Sequence, residues 1–350
     1  MNPRVLSVAT AVPRHRVAQD EARDFARAMF SGAYRDVERL LPVFDHVRVE
    51  GRNFCVPPGW FYEDHSFDEK NDLYVENGLE LSEKAARRAL DKAGVEAGEV
   101  GAIYFVSTTG ISTPSLDSML LPRLGLSKHT RRVPVWGLGC AAGAGGLALA
   151  ADHARLYPEK PVLLVGLELC GLTFQWGDRS KASLVSTALF ADGAAAVVLG
   201  NRPGEEGLEI LGSHSTTWPG TADVMGWEIS ASGFKVVLSR SIPDLVRNRM
   251  PKDLRAACSS MGVSPEGLKH FVIHPGGAKV LDAFEEVLGH EPGGLALPRE
   301  VLRDHGNMSS VTVLFILERL LESDECTSGE RGVVAALGPG FSAEQVFFRC

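Results

Sequence analysis

Residues 133–156 constrain the fold of this chain more than any other segment. An apolar run, VPVWGLG, leads into Cys140, and a stretch rich in alanine, glycine and leucine with helical spacing follows at once. This order predicts a buried strand, a tight turn and a buried helix whose first residue is the cysteine. Unpaired backbone N–H groups and the positive end of the helix dipole favour a thiolate at such a position. The alternative is a structural cysteine in a core helix, since free cysteines are among the most buried residues.

The overall composition indicates a compact α/β protein of two domains or one large duplicated domain. The 350 residues are 45% hydrophobic and 23% charged and include 37 glycines, unlike disordered, fibrous or membrane chains. A formal net charge of −8 argues against a dedicated nucleic-acid binder, because the chain as a whole repels phosphates. No apolar run approaches the roughly 18 residues of a spanning helix, and the short run before Pro13 predicts a first strand rather than a signal peptide. We therefore expect a cytoplasmic protein.

Cysteine usage points in the same direction. The six cysteines are scattered, with no CxxC pair and no Cys/His pair at the spacing of zinc ligands. This pattern predicts a reducing compartment and no structural metal.

Hydrophobic periodicity predicts alternating strands and helices along the chain. Strands are expected at residues 5–11, 102–109, 161–169, 189–199 (with a turn at Asp192-Gly193), 234–239, 270–274 and 332–340. Helices are expected at residues 20–29, 34–41, 79–93, 243–250 and 280–288, with a long apolar helix from about residue 307 to 321. Residues 54–67 combine Pro-Pro-Gly with five aromatic side chains, which predicts a loop at the surface or at a pocket mouth.

The two halves of the chain repeat one pattern. The segment YFVSTTG around Thr108 matches FVIHPGG around His274, and the spacing from Thr108 to Cys140 is 32 positions against 33 from His274 to Asn307. In each half the later residue is expected to open a buried helix, and an apolar strand follows that helix. This duplication predicts two similar α/β units related by a pseudo-twofold, residues 1–203 and 204–350, with the turn-forming residues 201–208 at their junction.

The duplication brings three functional groups together. Cys140 from the first unit, and His274 and Asn307 from the second, are expected to converge near the centre. A cysteine beside a histidine can form a thiolate–imidazolium pair, a nucleophile at neutral pH. An asparagine amide and a histidine N–H can both donate to a developing oxyanion. Taken singly, His274 could be a core histidine and Asn307 a helix N-cap.

Four arginines, Arg35, Arg39, Arg48 and Arg52, form a basic island in this acidic chain. Such an island is either solvated surface or a docking site for an anionic ligand such as a nucleotide phosphate. The sequence leaves both interpretations open.

Five segments resemble the type III polyketide synthases, the chalcone synthase-like branch of the thiolase superfamily. They are GLGC at 137–140, SLVSTALFADGAAAVVLG at 183–200, HPGG at 274–277, HGNMSS at 305–310 and LGPG at 337–340. The resemblance covers nearly the whole chain and implies a thiolase-like five-layered αβαβα fold. Residues 54–78 are more similar to bacterial long-chain alkylpyrone and alkylresorcinol synthases than to plant chalcone synthases. The Gly-Phe-Gly-Pro-Gly loop common in the family is here Ala336-Leu337-Gly338-Pro339-Gly340.

The resemblance implies a decarboxylative condensation. Cys140 takes an acyl group, expected to be a medium- or long-chain fatty acyl, from a coenzyme A thioester. His274 and Asn307 hold the thioester carbonyl of malonyl-CoA while CO2 leaves, and the carbanion attacks the acyl-Cys140 thioester. Repeated cycles and ring closure give an alkylpyrone or a resorcinol. No metal, redox cofactor or acyl carrier protein is implied.

Further roles follow from the same resemblance. Phe190 and Phe234 correspond to an aromatic gate between the coenzyme A tunnel and the cavity, although core packing is the ordinary role of phenylalanine. The cavity would be lined by Thr108, Thr173 and Ser309, with Gly338, Pro339 and Gly340 shaping the cyclisation wall. Thr113 would lie on a loop that reaches into a partner subunit, which implies a homodimer. Candidate coenzyme A ligands are Arg39, Arg48 and Arg52.

Three other classes of protein compete with this interpretation. A ketoacyl-ACP synthase III uses the same Cys-His-Asn set, but the HPGG and LGPG contexts disfavour it. A non-catalytic partner subunit of a condensing enzyme would be expected to lack Cys140. A Cys-His-Asn hydrolase would lack the duplicated pattern and would not consume malonyl-CoA.

Overall fold

A nine-stranded mixed sheet forms the frame of the protein, a computed structural model of which describes residues 2–350. In chain order the strands are β1 (Arg4–Ala11), β2 (His15–Ala18), β3 (Gly51–Phe54), β4 (Ala102–Val106), β5 (Arg131–Val135), β6 (Val162–Leu169), β7 (Asp192–Gly200), β8 (Leu208–Thr217), β9 (Met225–Ser230), β10 (Gly233–Leu238), β11 (Leu268–Ile273), β12 (Arg331–Gly338) and β13 (Ser342–Arg349). The large sheet has the order β11-β12-β13-β8-β1-β7-β6-β4-β5, and β9–β10 and β2–β3 form separate hairpins.

Ten α-helices accompany the strands in residues 2–350. They are α1 (Gln19–Phe30), α2 (Val43–His46), α3 (Phe67–Ala93), α4 (Leu116–Leu124), α5 (Ala142–Leu156), α6 (Lys181–Leu189), α7 (Ile242–Ser260), α8 (Ala278–Leu288), α9 (Ala296–His305) and α10 (Thr312–Glu322). None of these helices is both long and apolar enough to cross a bilayer.

The strand pairings repeat within the sheet. Along β1-β7-β6-β4 the neighbours are antiparallel, antiparallel and parallel. Along β8-β13-β12-β11 the same three relations recur in the same order. The two sets meet where β1 pairs with β8 at Arg4–Glu209 and Val5–Leu208. Strand β5 extends the first set beside β4.

Helices α5 and α10 form the central layer. Each contacts strands of both sets, α5 reaching β6 and β13 and α10 reaching β1 and β11, and the two helices contact each other. The close approach depends on glycine. A Cβ atom on Gly143 of α5 would lie 2.1 Å from the Ser310 carbonyl oxygen, and one on Gly146 would lie 2.9 Å from Leu164 and Val106. Outer helices α3 and α4 cover the first set, and α7, which packs on α8, contacts β8 of the second set, which produces the expected layered α/β body.

Several predicted elements have different bounds. Residues 34–41, expected to be helical, contain only the 3-10 turn Val37–Arg39. Asp192-Gly193 begins β7 instead of forming a turn, because Asp192 is fully buried there. The helix expected at residues 79–93 begins twelve residues earlier. Its start is a capping box in which Ser66 accepts from the Glu69 backbone N–H, and Gly94 ends it in the left-handed conformation.

The sequence predicted a reducing compartment, in which all six cysteines would be free. This expectation fails for two cysteines at the C-terminus. Cys326 and Cys350 form a disulfide across 24 residues, and the backbone there is also paired, with Cys350 N–H donating to Glu330 O. The four remaining cysteines are free. The covalent link fixes the end of β13 to the loop before β12.

Removing this disulfide should measurably destabilise the protein. Closing a loop of about 25 residues is worth about 3 kcal/mol through the lost entropy of the unfolded chain. We expect Cys350→Ser to lower the free energy of unfolding by about that amount in urea titrations. Dithiothreitol should destabilise the wild type and leave the Cys350→Ser variant unaffected. Equal free energies of unfolding for the wild type and Cys350→Ser, both measured without reductant, would contradict the prediction.

Candidate active site

Cys140 lies in a 3-10 turn, Gly139–Ala141, between β5 and α5. The helix therefore begins at Ala142 and not at the cysteine. Gly139 has φ +51°, and a Cβ there would lie 2.5 Å from Pro339. A Cβ on Gly338 would lie 2.3 Å from the Leu138 carbonyl oxygen. The LGPG loop at the end of β12 thus packs directly on the turn that carries the thiol.

Asn307 lies between α9 and α10, held by backbone bonds on both sides. Its N–H donates to Leu189 O and its carbonyl accepts from Ala191 N–H, both at 2.9 Å, so that Phe190 and Asn307 form an isolated parallel bridge. Its Oδ1 accepts from Ser309 N–H at 2.8 Å, and its Nδ2 donates to Gly276 O at 3.4 Å. These contacts fix the orientation of the amide.

His274 follows β11 and is buried, with 3% exposure. Its backbone N–H donates to Ala335 O at 2.8 Å. Neither ring nitrogen has a hydrogen-bond partner in the described part of the chain. Unpaired buried nitrogens are costly unless something else occupies them, which makes this imidazole available to a ligand.

The structure brings Cys140 and Asn307 into the wall of one chamber of about 50 Å³. Ser309 lies between them, with its Oγ 3.5 Å from the Cys140 Sγ. Gly276 also lines the chamber, while His274 two residues before it is not part of the lining. Cys140 and Asn307 therefore share one chamber, and the loop that follows His274 reaches the same chamber through Gly276.

The electrostatics of the site differ from the expected thiolate–imidazolium pair. Enclosure raises the pKa of the Cys140 thiol to about 12, and burial lowers the pKa of His274 to about 3. Desolvation penalises the charged form of each group. Both groups are therefore uncharged at neutral pH, and the neutral imidazole is the form that can accept a proton.

Glu168 is a functional-site residue that the sequence analysis missed. It is fully buried on β6 and accepts hydrogen bonds from the hydroxyls of Thr108, Thr109 and Ser310 and from the Thr108 backbone N–H. Burial raises its pKa. The network ties the end of β4 to the turn before α10. Within the apolar run PVLLVGLEL, the lone acid was the available signal.

Of the predicted pocket residues, Thr108, Phe190, Ser309 and Pro339 line the chamber. Thr173 instead lines a second cavity of about 380 Å³, which shares Phe190 and two other wall residues with the chamber. The remaining predicted residues lie elsewhere. Phe234 is buried among Phe67, Trp136 and Trp227, Thr113 is exposed, and Gly338 and Gly340 flank Pro339 without lining the chamber.

The hairpin β9–β10 supplies much of the chamber wall and was not predicted as such. Met225, Trp227, Val236 and Leu238 line it, as does Cys170 after β6. Trp227 is oriented by its indole N–H, which donates to Thr108 O at 2.9 Å. The half-buried, largely apolar strand of residues 233–238 was visible in the sequence, but nothing in it indicated which element it would cover.

The basic island separates into different environments. Arg52 is 1% exposed, and its Nη1 donates to Thr187 O at 2.7 Å and Phe190 O at 3.0 Å, so its guanidinium is already bound by carbonyl groups of the chain. Arg39 is exposed and pairs with Asp36. Arg48 is exposed and lines an open groove of about 1130 Å³ beside Lys279.

Metal ligands were not expected. Among the described residues, His270, Cys326 and Cys350 place their ligand atoms within 4.8 Å of one another. Two of the three are joined as the disulfide, and the His270 ring bonds Glu330 at 2.8 Å. This cluster lies outside the chamber that contains Cys140.

Family models match both parts of the chain. The N-terminal domain model of chalcone and stilbene synthases matches residues 57–203, and the C-terminal domain model matches residues 209–350. The chain belongs to the chalcone and stilbene synthase family.

Similar proteins extend over the full length. A putative chalcone synthase from Bacillus subtilis is 39% identical and covers 98% of each chain. A 1,3,6,8-tetrahydroxynaphthalene synthase from Streptomyces peucetius is 38% identical, covering 99% of this chain and 92% of that one. The solved 1,3,6,8-tetrahydroxynaphthalene synthase of Streptomyces coelicolor, a bacterial type III polyketide synthase, superposes with a TM-score of 0.95 at 29% identity, covering 99% of each chain.

These matches confirm three predictions. The fold is thiolase-like, the chain is a type III polyketide synthase, and its chemistry is the acyl transfer and Claisen condensation of that enzyme class. Enzymes of the class use coenzyme A thioesters without an acyl carrier protein and need no further cofactor.

Proposed function

We propose that this polyketide synthase loads a medium- or long-chain fatty acyl group on Cys140, extends it with malonyl-CoA and closes it to an alkylpyrone or resorcinol. The observation that carries the proposal is the second cavity of about 380 Å³, which lies within the size range of ligand pockets. It shares Cys170, Phe190 and Val236 with the chamber that contains Cys140. An acyl chain on the thiol thus has an adjoining space to enter.

The lining of the second cavity suits an alkyl chain. Phe25, Phe54, Phe61 and Phe174 contribute aromatic surface to it. Each buried CH2 group gains about 0.8 kcal/mol on leaving water. Longer starters should therefore bind progressively better until the cavity is full.

The site residues divide the chemistry between them. The neutral His274 imidazole takes the proton from the Cys140 thiol as the sulfur attacks the acyl-CoA carbonyl, and it passes that proton to the coenzyme A sulfur as the C–S bond breaks. With malonyl-CoA bound, the Asn307 amide and the His274 N–H donate to the thioester oxygen, which stabilises the enolate as CO2 departs. The enolate carbon then attacks the acyl-Cys140 carbonyl, the new carbon–carbon bond forms and the Cys140 sulfur leaves.

The groove beside the chamber fits coenzyme A. Ala278 and Lys279 line it and follow directly the loop of which Gly276 lines the chamber. Within residues 2–350, Arg48 and Lys279 have no ion pair, whereas Arg299 and Arg303 in the same groove are paired with carboxylates. Unpaired cations suit the phosphates of coenzyme A. Of the three arginines first considered, Arg48 remains the candidate.

A homodimer is the third part of the proposal. Strand β5 is an edge strand with an exposed face, and Ile111 and Trp136 beside it are 48% and 49% exposed. The Trp136 indole N–H donates to Gly110 O, so the loop that carries Thr113 adjoins this apolar edge. Exposed edges and apolar patches mark association surfaces. We propose that the dimer is cytoplasmic, where the Cys326–Cys350 disulfide would be an exception beside four free cysteines.

The starter proposal is tested by filling the second cavity. Thr173→Phe should lower kcat/KM for acyl-CoA starters of ten or more carbons by roughly tenfold or more, because the bulk displaces several CH2 groups. Turnover of a two-carbon starter should be retained. Products are weighed by mass spectrometry, and Thr173→Ser serves as the matched control. A uniform loss over all chain lengths would contradict the proposal.

A second candidate product comes from the relatives. Those named 1,3,6,8-tetrahydroxynaphthalene synthase are 30–38% identical to this chain. The two candidates are distinguished by two reactions of the wild-type enzyme, one with malonyl-CoA alone and one with malonyl-CoA and a long-chain acyl-CoA. A naphthalene product formed faster than any alkylpyrone from long-chain acyl-CoA would favour the second candidate over the first.

A further inference from the structure

The bridge between Phe190 and Asn307 joins the two repeats at the active site. Asn307 N–H donates to Leu189 O, and Ala191 N–H donates to Asn307 O. The position of the amide thus depends on where residues 189–191 lie. Leu189 is the last residue of α6, and residues 190–191 follow it, so a further contact is needed to fix their position.

Arg52 provides that anchor. Its Nη1 donates to the Thr187 and Phe190 carbonyls, which are among the free acceptors at the end of α6. A cation at the C-terminal end of a helix also interacts favourably with the helix dipole. The guanidinium therefore holds one side of the bridge.

Arg52 also contacts the other side of the bridge. A Cβ on Gly306, the residue before Asn307, would lie 2.9 Å from the Cγ and Cδ atoms of Arg52. The Arg52 stem thus packs on the backbone that leads into the catalytic amide. One side chain contacts both partners of the bridge.

The charge of Arg52 is balanced inside the protein. Asp192 interacts with it electrostatically, and Asp192 is itself bound by the backbone N–H groups of Cys55 at 2.8 Å and Gly171 at 2.7 Å. Burial lowers the pKa of Arg52 to about 10, so it remains charged at neutral pH. A buried, internally balanced cation is unsuited to bind an external phosphate.

We infer that Arg52 is a positioning residue for decarboxylation, which fixes the Phe190–Asn307 bridge and through it the Asn307 amide. The inference rests on the proposed role of Asn307. Small displacements of groups that stabilise a transition state are costly, so loss of the anchor should slow CO2 release and leave malonyl-CoA binding unaffected.

The test measures CO2 release from malonyl-CoA by Arg52→Met, Asn307→Ala and the double variant. Arg52→Met should lower kcat by roughly 10- to 100-fold with KM within about twofold of wild type. The double variant should be no slower than Asn307→Ala alone, because the two residues act as one unit. Arg35→Met, an exposed arginine outside the site, serves as the control.

Two further variants test whether a loss of rate in Arg52→Met comes from misfolding. Arg52→Met leaves Asp192 buried without its counter-charge, so Arg52→Met/Asp192→Asn removes both charges and Arg52→Lys keeps both. Thermal melts confirm that each variant is folded. Arg52→Lys should recover part of the lost rate.

Four results would each overturn the inference about Arg52. A raised KM with unchanged kcat would make Arg52 a coenzyme A ligand and overturn the inference. Wild-type decarboxylation in the folded Arg52 variants, beside a slow Asn307→Ala, would overturn the inference alone. A fast Asn307→Ala would overturn the role of Asn307 and with it the inference. An additive double variant would show that Arg52 acts elsewhere.

Discussion

Cys140→Ala should give no polyketide product and no acyl-enzyme, a loss of at least about 10³-fold, as for other removed nucleophiles. The thiol in the 139–141 turn has no substitute in covalent loading, because the hydroxyl of Ser309 beside it is a much weaker nucleophile. Acylation is read by mass spectrometry of the intact protein after incubation with an acyl-CoA.

The same variant should still release CO2 from malonyl-CoA, since His274 and Asn307 are unchanged. The control is Cys258→Ala, which removes a free thiol from α7 that does not line the chamber. An acyl group on the Cys140→Ala protein would place the nucleophile elsewhere, and Cys170, which lines the same chamber, would be the first residue to examine.

His274→Gln and Asn307→Asp should each slow CO2 release from malonyl-CoA by roughly 10²–10³-fold, the range found when one donor to an oxyanion is lost. Asn307→Asp replaces a donor by a carboxylate that repels the enolate oxygen. His274→Gln removes the ring whose nitrogens have no partner in the described chain. The assay follows CO2 or acetyl-CoA with malonyl-CoA as the only substrate.

His270→Gln is the matched control for the histidine. His270 lies on β11, the strand that leads to His274, and its ring bonds Glu330. Acylation of Cys140 should persist in Asn307→Asp and slow in His274→Gln, because only the histidine accepts the thiol proton. Unimpaired decarboxylation in both variants would refute the assigned roles.

The sequence predicted the fold well where the signal was local or repeated. Continuous apolar strands and the nearly equal spacings of Thr108–Cys140 and His274–Asn307 were enough to predict a duplicated α/β body. Residues 34–41 bury Val37 and Leu41 in the core without forming a regular helix, so their helical spacing was misleading. Asp192 was mistaken for a turn residue because its carboxylate is satisfied by Cys55 and Gly171, distant partners that no local pattern shows.

The sequence predicted in part which residues share a chamber, and it did not predict their environment. Cys140 and Asn307 line one chamber, but the neutral state of the thiol depends on enclosure by the β9–β10 hairpin and other elements far apart in sequence. Arg52 shows the same limit. In the sequence Arg52 belongs to a basic island, whereas its contacts with Phe190 and Gly306 are set by tertiary packing.

The central layer has a consequence for the history of such a protein. Because α5 and α10 each contact strands of both repeats, neither repeat covers its own inner surface. A single-unit ancestor would have had to associate with an identical copy in order to exclude water from these helices. In such a pair the positions now held by Cys140 and Asn307 would have been equivalent.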